Sequence, residues 1–321
     1  MVAQIILNKV SKRRKSNITG FLLQTFFQVI RRIYLSLNKN ALVKYNLENV
    51  NIILPLKHDL PLMKRNYSAY DTHIARIPKY IKEKYNDFQA IDIGANVGDS
   101  AIIIKSKVDV PILCIEPDDY YYSLLKLNTK NINGISYENC FVGESETSDL
   151  TLVQFKGTAR LTSDKGEESE IRFYSIQEIV EKHVSFNKVK FLKIDTDGFD
   201  CKIIRSNDEY IQQYKPVIFF EYDPYLLSIL NDDGLSVFNL LKKNGYDGVL
   251  IYENTGNYLL SLKLDQTKSL EELHTYFSGW NSKRYMDICV FHNNDMDIFE
   301  TARNKEMDYF KHLNNKNQIV I

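Results

Sequence analysis

The run FLKIDTDGFD at residues 191–200 places three carboxylates close together after an apolar segment, which predicts a catalytic or binding site. An apolar, strand-like segment ends in Asp195 and Asp197, which are separated by one residue, and Asp200 follows shortly after. Two kinds of enzyme use such a run. In a phosphatase, a strand-end aspartate attacks phosphorus and its neighbour acts as acid and base. In a group transferase, the carboxylates lie beside a bound cofactor. The run alone does not decide between them.

A second candidate site is the turn IDIGANVGDS at residues 91–100, which follows the strand-like segment QAIDI. Its spacing is D-x-G-x-N-x-G and not the dinucleotide fingerprint G-x-G-x-x-G. Gly94 predicts a tight turn, and Asn96 is the kind of non-glycine residue that readily takes a positive φ. Gly98 predicts a close approach of the next helix to a ligand. Asp92 is an acceptor at the strand end, and it favours a ligand with a positive portion, such as the ammonium and sulfonium of S-adenosylmethionine.

The second predicted strand, PILCIE, also ends in an acid. Glu116 follows Gly98 by 18 residues, a spacing at which a carboxylate accepts hydrogen bonds from both hydroxyls of a ribose. Pro117 comes next, where a helix can begin. The glycine turn and the spaced acid together predict a cofactor site.

Predicted strands and helices alternate from residue 89 onward, which is typical of a parallel sheet with helices on both faces. Three late strand-like segments, two of them joined by the turn NTGN, predict an antiparallel hairpin at one edge. The predicted fold class is therefore α/β, a Rossmann-like doubly wound, mostly parallel sheet with an antiparallel edge hairpin and an N-terminal helical extension. The polar residues 156–170 predict a loop, and residues 200–214 predict one helix.

These segments resemble the FkbM-type family of S-adenosylmethionine-dependent methyltransferases of class I. The resemblance covers roughly residues 70–225 and rests on IDIGANVGDS, on IEP, on the late third strand ending in FVG, and on LKIDTDGFD. It differs from the family pattern at Asp197 and Asp200, where glutamate is usual. The resemblance implies that S-adenosyl-L-methionine is held by Asp92, Gly94, Asn96, Gly98 and Glu116, with Phe141 near the adenine.

The resemblance also implies a reaction, because this family often methylates hydroxyls of sugars in bacterial polysaccharides, glycolipids or polyketides. We therefore expect O-methylation of a sugar or of a polysaccharide or glycolipid precursor. An alcohol loses its proton during or after attack, so a nearby base helps. Asp195 and Asp197 are the first candidates, because they lie where a parallel sheet opens its ligand crevice. Glu221, at the end of the next strand, and His73, before the first strand, are further candidates.

Other readings of the same residues stay open. Asp195 to Gly198 also fits the nucleophile motif of haloacid-dehalogenase-type phosphatases, although that motif normally lies on the first strand and Phe199 replaces its threonine. A non-catalytic, cofactor-binding relative is a further alternative. The glycine spacing disfavours a nicotinamide-dependent dehydrogenase. No metal ligand set is predicted, although Asp195, Asp197 and Asp223 are acids that could in principle share an ion.

The composition limits the partners and the compartment. The chain has 41 Lys and Arg residues and 41 Asp and Glu residues, so it lacks the basic excess that is typical of nucleic-acid-binding proteins. The four cysteines, Cys114, Cys140, Cys201 and Cys289, form no C-x-x-C pair. Free buried thiols indicate a reducing compartment, and we expect a cytoplasmic protein.

The N-terminal region predicts an amphipathic helix within GFLLQTFFQVIRRIYLSL. Gln24, Gln28, Arg31 and Arg32 recur on one helical face. Such a helix packs on its own domain or on a second subunit, giving a homodimer, or lies peripherally on the inner face of a membrane. We predict that residues 1–85 form an N-terminal extension, residues 86–300 the methyltransferase domain and residues 301–321 a C-terminal tail.

Overall fold

An eight-stranded sheet is the centre of the molecule. The computed structural model describes residues 1–12, 18–143, 151–155, 158–162 and 173–318. The strands, in chain order, are β1 Leu42–Leu47, β2 Val50–Pro55, β3 Gln89–Ile93, β4 Ile112–Ile115, β5 Ile135–Glu138, β6 Phe141–Val142, β7 Thr151–Phe155, β8 Thr158–Thr162, β9 Phe173–Tyr174, β10 Val189–Ile194, β11 Val217–Tyr222, β12 Tyr246–Glu253, β13 Tyr258–Lys263 and β14 Met286–His292.

Helices cover both faces of this sheet. They are α1 Val2–Val10, α2 Ile18–Leu37, α3 Leu60–Asn66, α4 His73–Lys84, α5 Asp99–Lys105, α6 Asp119–Thr129, α7 Ile176–Lys182, α8 Asp200–Ser206, α9 Asp208–Tyr214, α10 Pro224–Ile229, α11 Leu235–Lys243, α12 Thr267–Ser278 and α13 Met296–Gln318, with a 3₁₀ turn at Asn293–Asp295 before α13.

The strand order is β13-β12-β14-β11-β10-β3-β4-β5. The strands from β11 to β5 in this order run parallel, whereas β14, β12 and β13 pair antiparallel at one edge. The predicted fold class, including the edge hairpin of β12 and β13, is confirmed. The chain leaves β3 toward β4 and β5 on one side and later returns to build β10 and β11 on the other. The boundary between β3 and β10 is therefore the topological switch point, where ligands bind in such sheets.

Burial on both faces explains why the central strands read as continuous apolar runs. Every residue of β3 and of β11 is buried, as expected for parallel strands between two helical layers. One layer includes α4, α5, α6 and α13 together with α1 and the β1–β2 hairpin, and the other includes α7, α8, α9, α11 and α12. The core is thus divided by the sheet into two apolar clusters.

Three elements differ from the sequence expectation. The helix predicted over residues 200–214 breaks into α8 and α9 at Asn207, because the Asn207 amide donates to the carbonyl of Ile203 (2.8 Å) and accepts from the N–H of Ile176 (2.6 Å). The loop predicted over residues 156–170 contains strand β8, which pairs antiparallel with β7; its Thr-rich sequence favours a strand. The remainder of that predicted loop lies outside the described residues.

The third predicted strand divides into β5, which joins the main sheet, and β6, which pairs with β9. At the C-terminus, α13 extends through the predicted domain boundary at residue 300, and the domain limits themselves stay predictions. Among the described helices, none has the length and apolar character needed to cross a membrane.

Candidate active site

A cavity of ≈ 210 Å³ opens at the switch point, at the carboxyl ends of β3, β4, β10 and β11 and the start of β14. It brings together most of the residues that the sequence singled out. The predicted site residues that line it are His73, Gly94, Asn96, Glu116, Phe141, Asp195, Asp197 and Glu221. Asp92 and Gly98 do not line it.

The glycine turn forms one wall of the cavity. Gly94 has φ +77°, and a Cβ at this position would lie 1.9 Å from the carbonyl oxygen of Asp195. Only glycine therefore lets the turn after β3 touch the end of β10. Asn96 has φ 46°, which confirms the predicted positive φ. The turn is a narrow cradle between two strand ends.

Gly98 makes room for a neighbouring helix. Its φ is +87°, and an added Cβ would lie 2.9 Å from both Leu125 Cδ1 and Thr129 Cγ2 of α6. The missing side chain therefore lets α6 pack against the start of α5. A role of Gly98 in bringing α5 close to a ligand stays a prediction.

Asp92 lies beneath the cavity, fully buried. Its carboxylate accepts a hydrogen bond from the Ser100 hydroxyl and one of 2.9 Å from Lys193 Nζ. Lys193 also lies 3.3 Å from Asp195 Oδ2, and these two carboxylates raise the pKa of the lysine despite its burial. Asp92 therefore holds Lys193 in place under the end of β10, and both of its oxygens are already engaged.

Glu116 faces the cavity from the end of β4. Its carboxylate accepts hydrogen bonds from the backbone N–H of Asn96 (2.8 Å) and of Asp118 (3.0 Å), so it is fixed against the glycine turn. Burial raises the pKa of Glu116 to about 7. A buried, oriented carboxylate at this position fits the paired hydroxyls of a ribose.

The cavity wall beyond Glu116 is mostly apolar. Phe141 and Phe173 lie with ring centroids 5.4 Å apart, and both line the cavity with Pro117, Cys140 and Val142. A flat, uncharged ring suits such a wall. The glycine cradle, the fixed carboxylate and this aromatic wall occur in the order in which an adenosine with a charged amino acid tail presents its parts.

A histidine and an aspartate meet at the opposite side of the cavity. His73 Nε2 lies 3.0 Å from Asp287 Oδ2, and the imidazole packs between Phe219 and Tyr252. Burial lowers the pKa of His73 to about 3 and raises that of Asp287 well above its usual range. The imidazole is thus neutral at physiological pH and orients the carboxyl group.

The sequence did not single out Asp287 or its neighbour Asp71, although both line the cavity. Asp71 takes φ 56°, an uncommon conformation for a non-glycine residue. Burial raises the pKa of its carboxyl group as well. Two sequence features could have drawn attention to these acids: the run YDTH at residues 70–73 and the acid in MDICVFH. Neither has a spacing that is diagnostic of a site.

The acids of the run that first drew attention divide into two groups. Asp195 is half-exposed at the cavity, and Asp197 (φ 53°) lies beside it. Asp200 is buried and accepts hydrogen bonds from the Thr196 hydroxyl (3.0 Å) and from the N–H of Thr196 and Gly198 (3.3 Å each). Asp200 therefore shapes the loop, whereas Asp195 and Asp197 face the cavity.

No cluster of three or more potential metal ligands occurs within the part of the chain that the structure describes. Asp223, which could have shared an ion with Asp195 and Asp197, instead caps α10 by accepting from the N–H of Tyr225 (3.0 Å). Its position gives no reason to include it in the site.

Sheet order, glycine cradle and strand-end acid together define a Rossmann-like protein with a cavity that fits a nucleoside-containing cofactor. Residues 92–247 match the family model described as the Methyltransferase FkbM domain. The resemblance read from the sequence is thereby confirmed over these residues. The family implies S-adenosylmethionine as the methyl donor, and the phosphatase alternative receives no support.

Comparisons with other proteins give weaker likenesses. No curated protein matches the chain. A methyltransferase FkbM structure from Methylobacillus flagellatus KT is 19% identical, with 51% of this chain and 40% of that chain covered and a TM-score of 0.35. A precorrin-6y C5,15-methyltransferase from Geobacter metallireducens GS-15 is 12% identical, with 64% of this chain and 80% of that chain covered and a TM-score of 0.35. A human methyltransferase 10 domain containing protein is 12% identical, with 83% of this chain and 96% of that chain covered and a TM-score of 0.40. This chain thus spans less than half of the Methylobacillus protein.

Proposed function

We propose that this protein transfers the methyl group of S-adenosylmethionine to a hydroxyl oxygen of a sugar or of a polysaccharide or glycolipid precursor in the cytoplasm. One observation carries the proposal. A single cavity joins a cofactor cradle, made by Gly94, Asn96 and Glu116, to a buried His73–Asp287 pair. A site for a donor and a group that can take a proton therefore face the same space.

The cofactor end of the cavity fits S-adenosylmethionine. The Glu116 carboxylate is positioned to accept hydrogen bonds from the ribose hydroxyls, and Phe141 lies where the adenine ring would contact an aromatic wall. Asp195, half-exposed beside the glycine turn, offers a negative charge to the amino acid tail. When bound, S-adenosylmethionine supplies a methyl group whose bond to the sulfonium breaks as the new carbon–oxygen bond forms.

The acceptor end of the cavity supplies the base. We assign the proton of the attacking hydroxyl to Asp287, because its carboxyl group lines the cavity beside the His73 imidazole. Burial raises the pKa of this carboxyl group, so Asp287 must first lose its own proton, and the ionised form is then a strong proton acceptor. His73 holds the carboxyl in position through its Nε2. Much of the remaining rate enhancement comes from holding the reactants in line. Asp195 and Asp197 are the alternative bases.

The lining of the cavity limits the acceptor. Lys193 is the only Lys or Arg among the described residues that line it, and it is already paired with Asp92 and Asp195. Seven lining residues are Asp or Glu. A phosphate or carboxylate next to the reacting hydroxyl would be buried among carboxyl groups without a cation to pair with, which is costly. This lining supports an acceptor that is neutral, such as a sugar ring, where it enters the cavity.

Calorimetric titration with S-adenosylhomocysteine tests the cofactor half of the proposal. We expect micromolar binding that is lost in Glu116→Ala, and no binding of NADH or of Mg²⁺ with phosphate. Transfer of tritium from S-adenosyl-[methyl-³H]methionine to a panel of glycosides then tests the reaction. Binding without transfer to any glycan would favour a non-catalytic relative, and absence of binding would overturn the proposal.

A further inference from the structure

The helix α2 presents an apolar stripe to solvent. Its members recur at intervals of three and four residues, so they lie on one helical face. Their exposed fractions range from 45% for Val29 to 80% for Ile18 and Leu37. The stripe consists of Ile18, Leu22, Phe26, Val29, Ile33 and Leu37, with Phe21 beside it.

A different face of the same helix, with both polar and apolar residues, packs on the protein. Arg31 is only 8% exposed, and its guanidinium donates to the carbonyl oxygens of Leu56 (2.9 Å) and His58 (3.3 Å). Gln24 donates to the carbonyl of Val10 (3.2 Å). Apolar side chains of α2 pack on the core beside these polar contacts, namely Phe27, Ile30, Tyr34 and Leu35. The stripe lies outside this packed face and is available to another apolar phase.

The charge around α2 identifies that phase. Residues 1–46 contain nine of the 41 Lys and Arg residues and none of the 41 Asp and Glu residues, so the remainder of the chain is net acidic. Arg32, Lys39 and Lys44 are exposed on or near the helix. An exposed apolar stripe in an acid-free, basic segment is the combination that binds anionic lipid surfaces.

We propose that α2 lies in the plane of an anionic membrane surface, with its stripe inserted among the acyl chains and the basic residues at the headgroups. The helix of 20 residues is about 30 Å long and offers apolar side chains along its whole length. A second copy of the chain is a poorer occupant, because a symmetric contact would bring two acid-free basic segments together. The acidic remainder of the chain would be repelled by the lipid, which orients the molecule with α2 toward it.

The cavity is linked to this surface through the backbone that Arg31 binds. His58, whose carbonyl accepts from Arg31, lines the cavity, and its Nε2 lies 3.4 Å from Asn96 Oδ1 of the glycine turn. Docking on a membrane would therefore hold the active site at a fixed position relative to the lipid. Lipid binding by α2 is a second function, separate from methyl transfer, and can be tested whether or not the protein transfers a methyl group.

Vesicle flotation tests the proposal with the full-length protein. We expect it to float with vesicles of 70% phosphatidylcholine and 30% phosphatidylglycerol, and to stay in the bottom fraction with phosphatidylcholine alone or in 1 M salt. The variant Leu22→Gln/Phe26→Gln/Ile33→Gln should lower binding at least about 100-fold, because each side chain contributes roughly tenfold through apolar burial. The control Val184→Gln/Ile229→Gln removes two exposed apolar residues elsewhere and should bind as wild type does.

Measuring the oligomeric state without lipid tests the alternative, in which the stripe binds a second copy of the chain. Circular dichroism first establishes that both variants are folded. A concentration-dependent dimer in analytical ultracentrifugation that the triple variant abolishes, together with no flotation of the wild-type protein, would identify a second copy as the occupant and overturn the proposal. A monomer that does not float with anionic vesicles would overturn it as well.

Discussion

His73 and Asp287 lie 214 residues apart in the chain, yet the imidazole Nε2 is 3.0 Å from the carboxyl Oδ2. His73 begins α4 before the first strand of the main sheet, whereas Asp287 belongs to β14, which inserts antiparallel between β11 and β12. The register places Asp287 directly opposite Glu221 on β11. The sheet thus brings two carboxyl groups and one neutral imidazole to the same side of the cavity.

If Asp287 accepts the proton of the acceptor hydroxyl, Asp287→Asn should lower kcat by about 10²- to 10⁴-fold while S-adenosylhomocysteine binds as before. His73→Gln keeps an amide N–H near the carboxyl group and should retain more activity than His73→Ala. Initial rates with the best glycan acceptor, measured from pH 6 to 9, separate a positioning role from a structural one, because only a positioning role alters the pH profile. The variant His183→Gln is the matched control. His183 also pairs with a carboxylate, at 2.9 Å from Nε2 to Glu138 Oε2, but neither residue lines the cavity.

Full activity of Asp287→Asn would show that the base is elsewhere. Asp195→Asn then becomes the decisive variant, because the Asp195 side chain is half-exposed and lines the cavity. Under the present assignment, we expect Asp195→Asn to raise the KM for S-adenosylmethionine more than it lowers kcat.

Cofactor binding should release protons near neutral pH. Burial holds the pKa of Glu116 at about 7 in the free protein, and hydrogen bonds from two ribose hydroxyls favour the ionised form and so lower that pKa. At pH 7, binding of S-adenosylhomocysteine should therefore release up to about half a proton, and at pH 9 almost none. Titration calorimetry in phosphate and in Tris, which differ in ionisation enthalpy, measures this release. In Glu116→Gln the release should vanish, and an unchanged release in that variant would assign it to another group.

The sequence predicted the parts of the site that local chain geometry determines. Asn96 takes the positive φ expected of it, and Glu116 occupies the strand end that its spacing indicated. These predictions succeed because a strand, a turn and the next helix are consecutive in the chain. The edge hairpin was also predictable from a short turn between two apolar segments.

Other parts of the site depend on strand order, which the sequence does not determine. Asp287 became a candidate only once β14 was placed beside β11. Asp92 is paired with Lys193, which is 101 residues later in the chain but lies on the adjacent strand β10; its predicted contact with the cofactor stays a prediction. Which of the apolar residues of α2 stay exposed was likewise unpredictable, because the packed face includes Arg31, which binds backbone acceptors at Leu56 and His58.

The contact between the glycine turn and β10 predicts the result of replacing Gly94. An alanine Cβ would lie 1.9 Å from the carbonyl oxygen of Asp195, so one of the two strand ends must move. We expect Gly94→Ala to be destabilised by more than about 2 kcal/mol, since a positive φ alone costs a residue with a Cβ roughly 1–2 kcal/mol. Affinity for S-adenosylhomocysteine should fall at least tenfold.

Urea denaturation and calorimetry check this prediction against Gly279→Ala. Gly279 lacks a positive φ, and its nearest atom would be 3.7 Å from an added Cβ. That control should be as stable as wild type and bind normally. Wild-type affinity in Gly94→Ala would mean that the turn is not the cradle of the cofactor.

Glu221 should make the protein less stable as the pH rises. Its carboxyl group is 8% exposed, and burial, together with Asp195 and Asp197, raises its pKa well above the usual range. Above pH ~4.3 the unfolded chain releases this proton, whereas the folded protein retains it up to the raised pKa. Unfolding is therefore increasingly favoured between these two values. Glu221→Gln carries no such proton and should gain up to about 3 kcal/mol relative to wild type between pH 5.5 and pH 8, at roughly 1.4 kcal/mol for each pH unit below the raised pKa.

Urea denaturation at pH 5.5, 6.5, 7.5 and 8 measures the difference between the two proteins. Glu272→Gln removes an exposed carboxyl group from α12 and should keep a constant difference from wild type over this range. A constant difference for Glu221→Gln as well would mean that Glu221 is already ionised in the folded protein. In that case it would belong with Asp195 and Asp197 as a carboxylate able to accept a proton, and Glu221→Gln should then lower kcat. Under the present assignment, glutamine replaces a neutral carboxyl group and most of the activity remains.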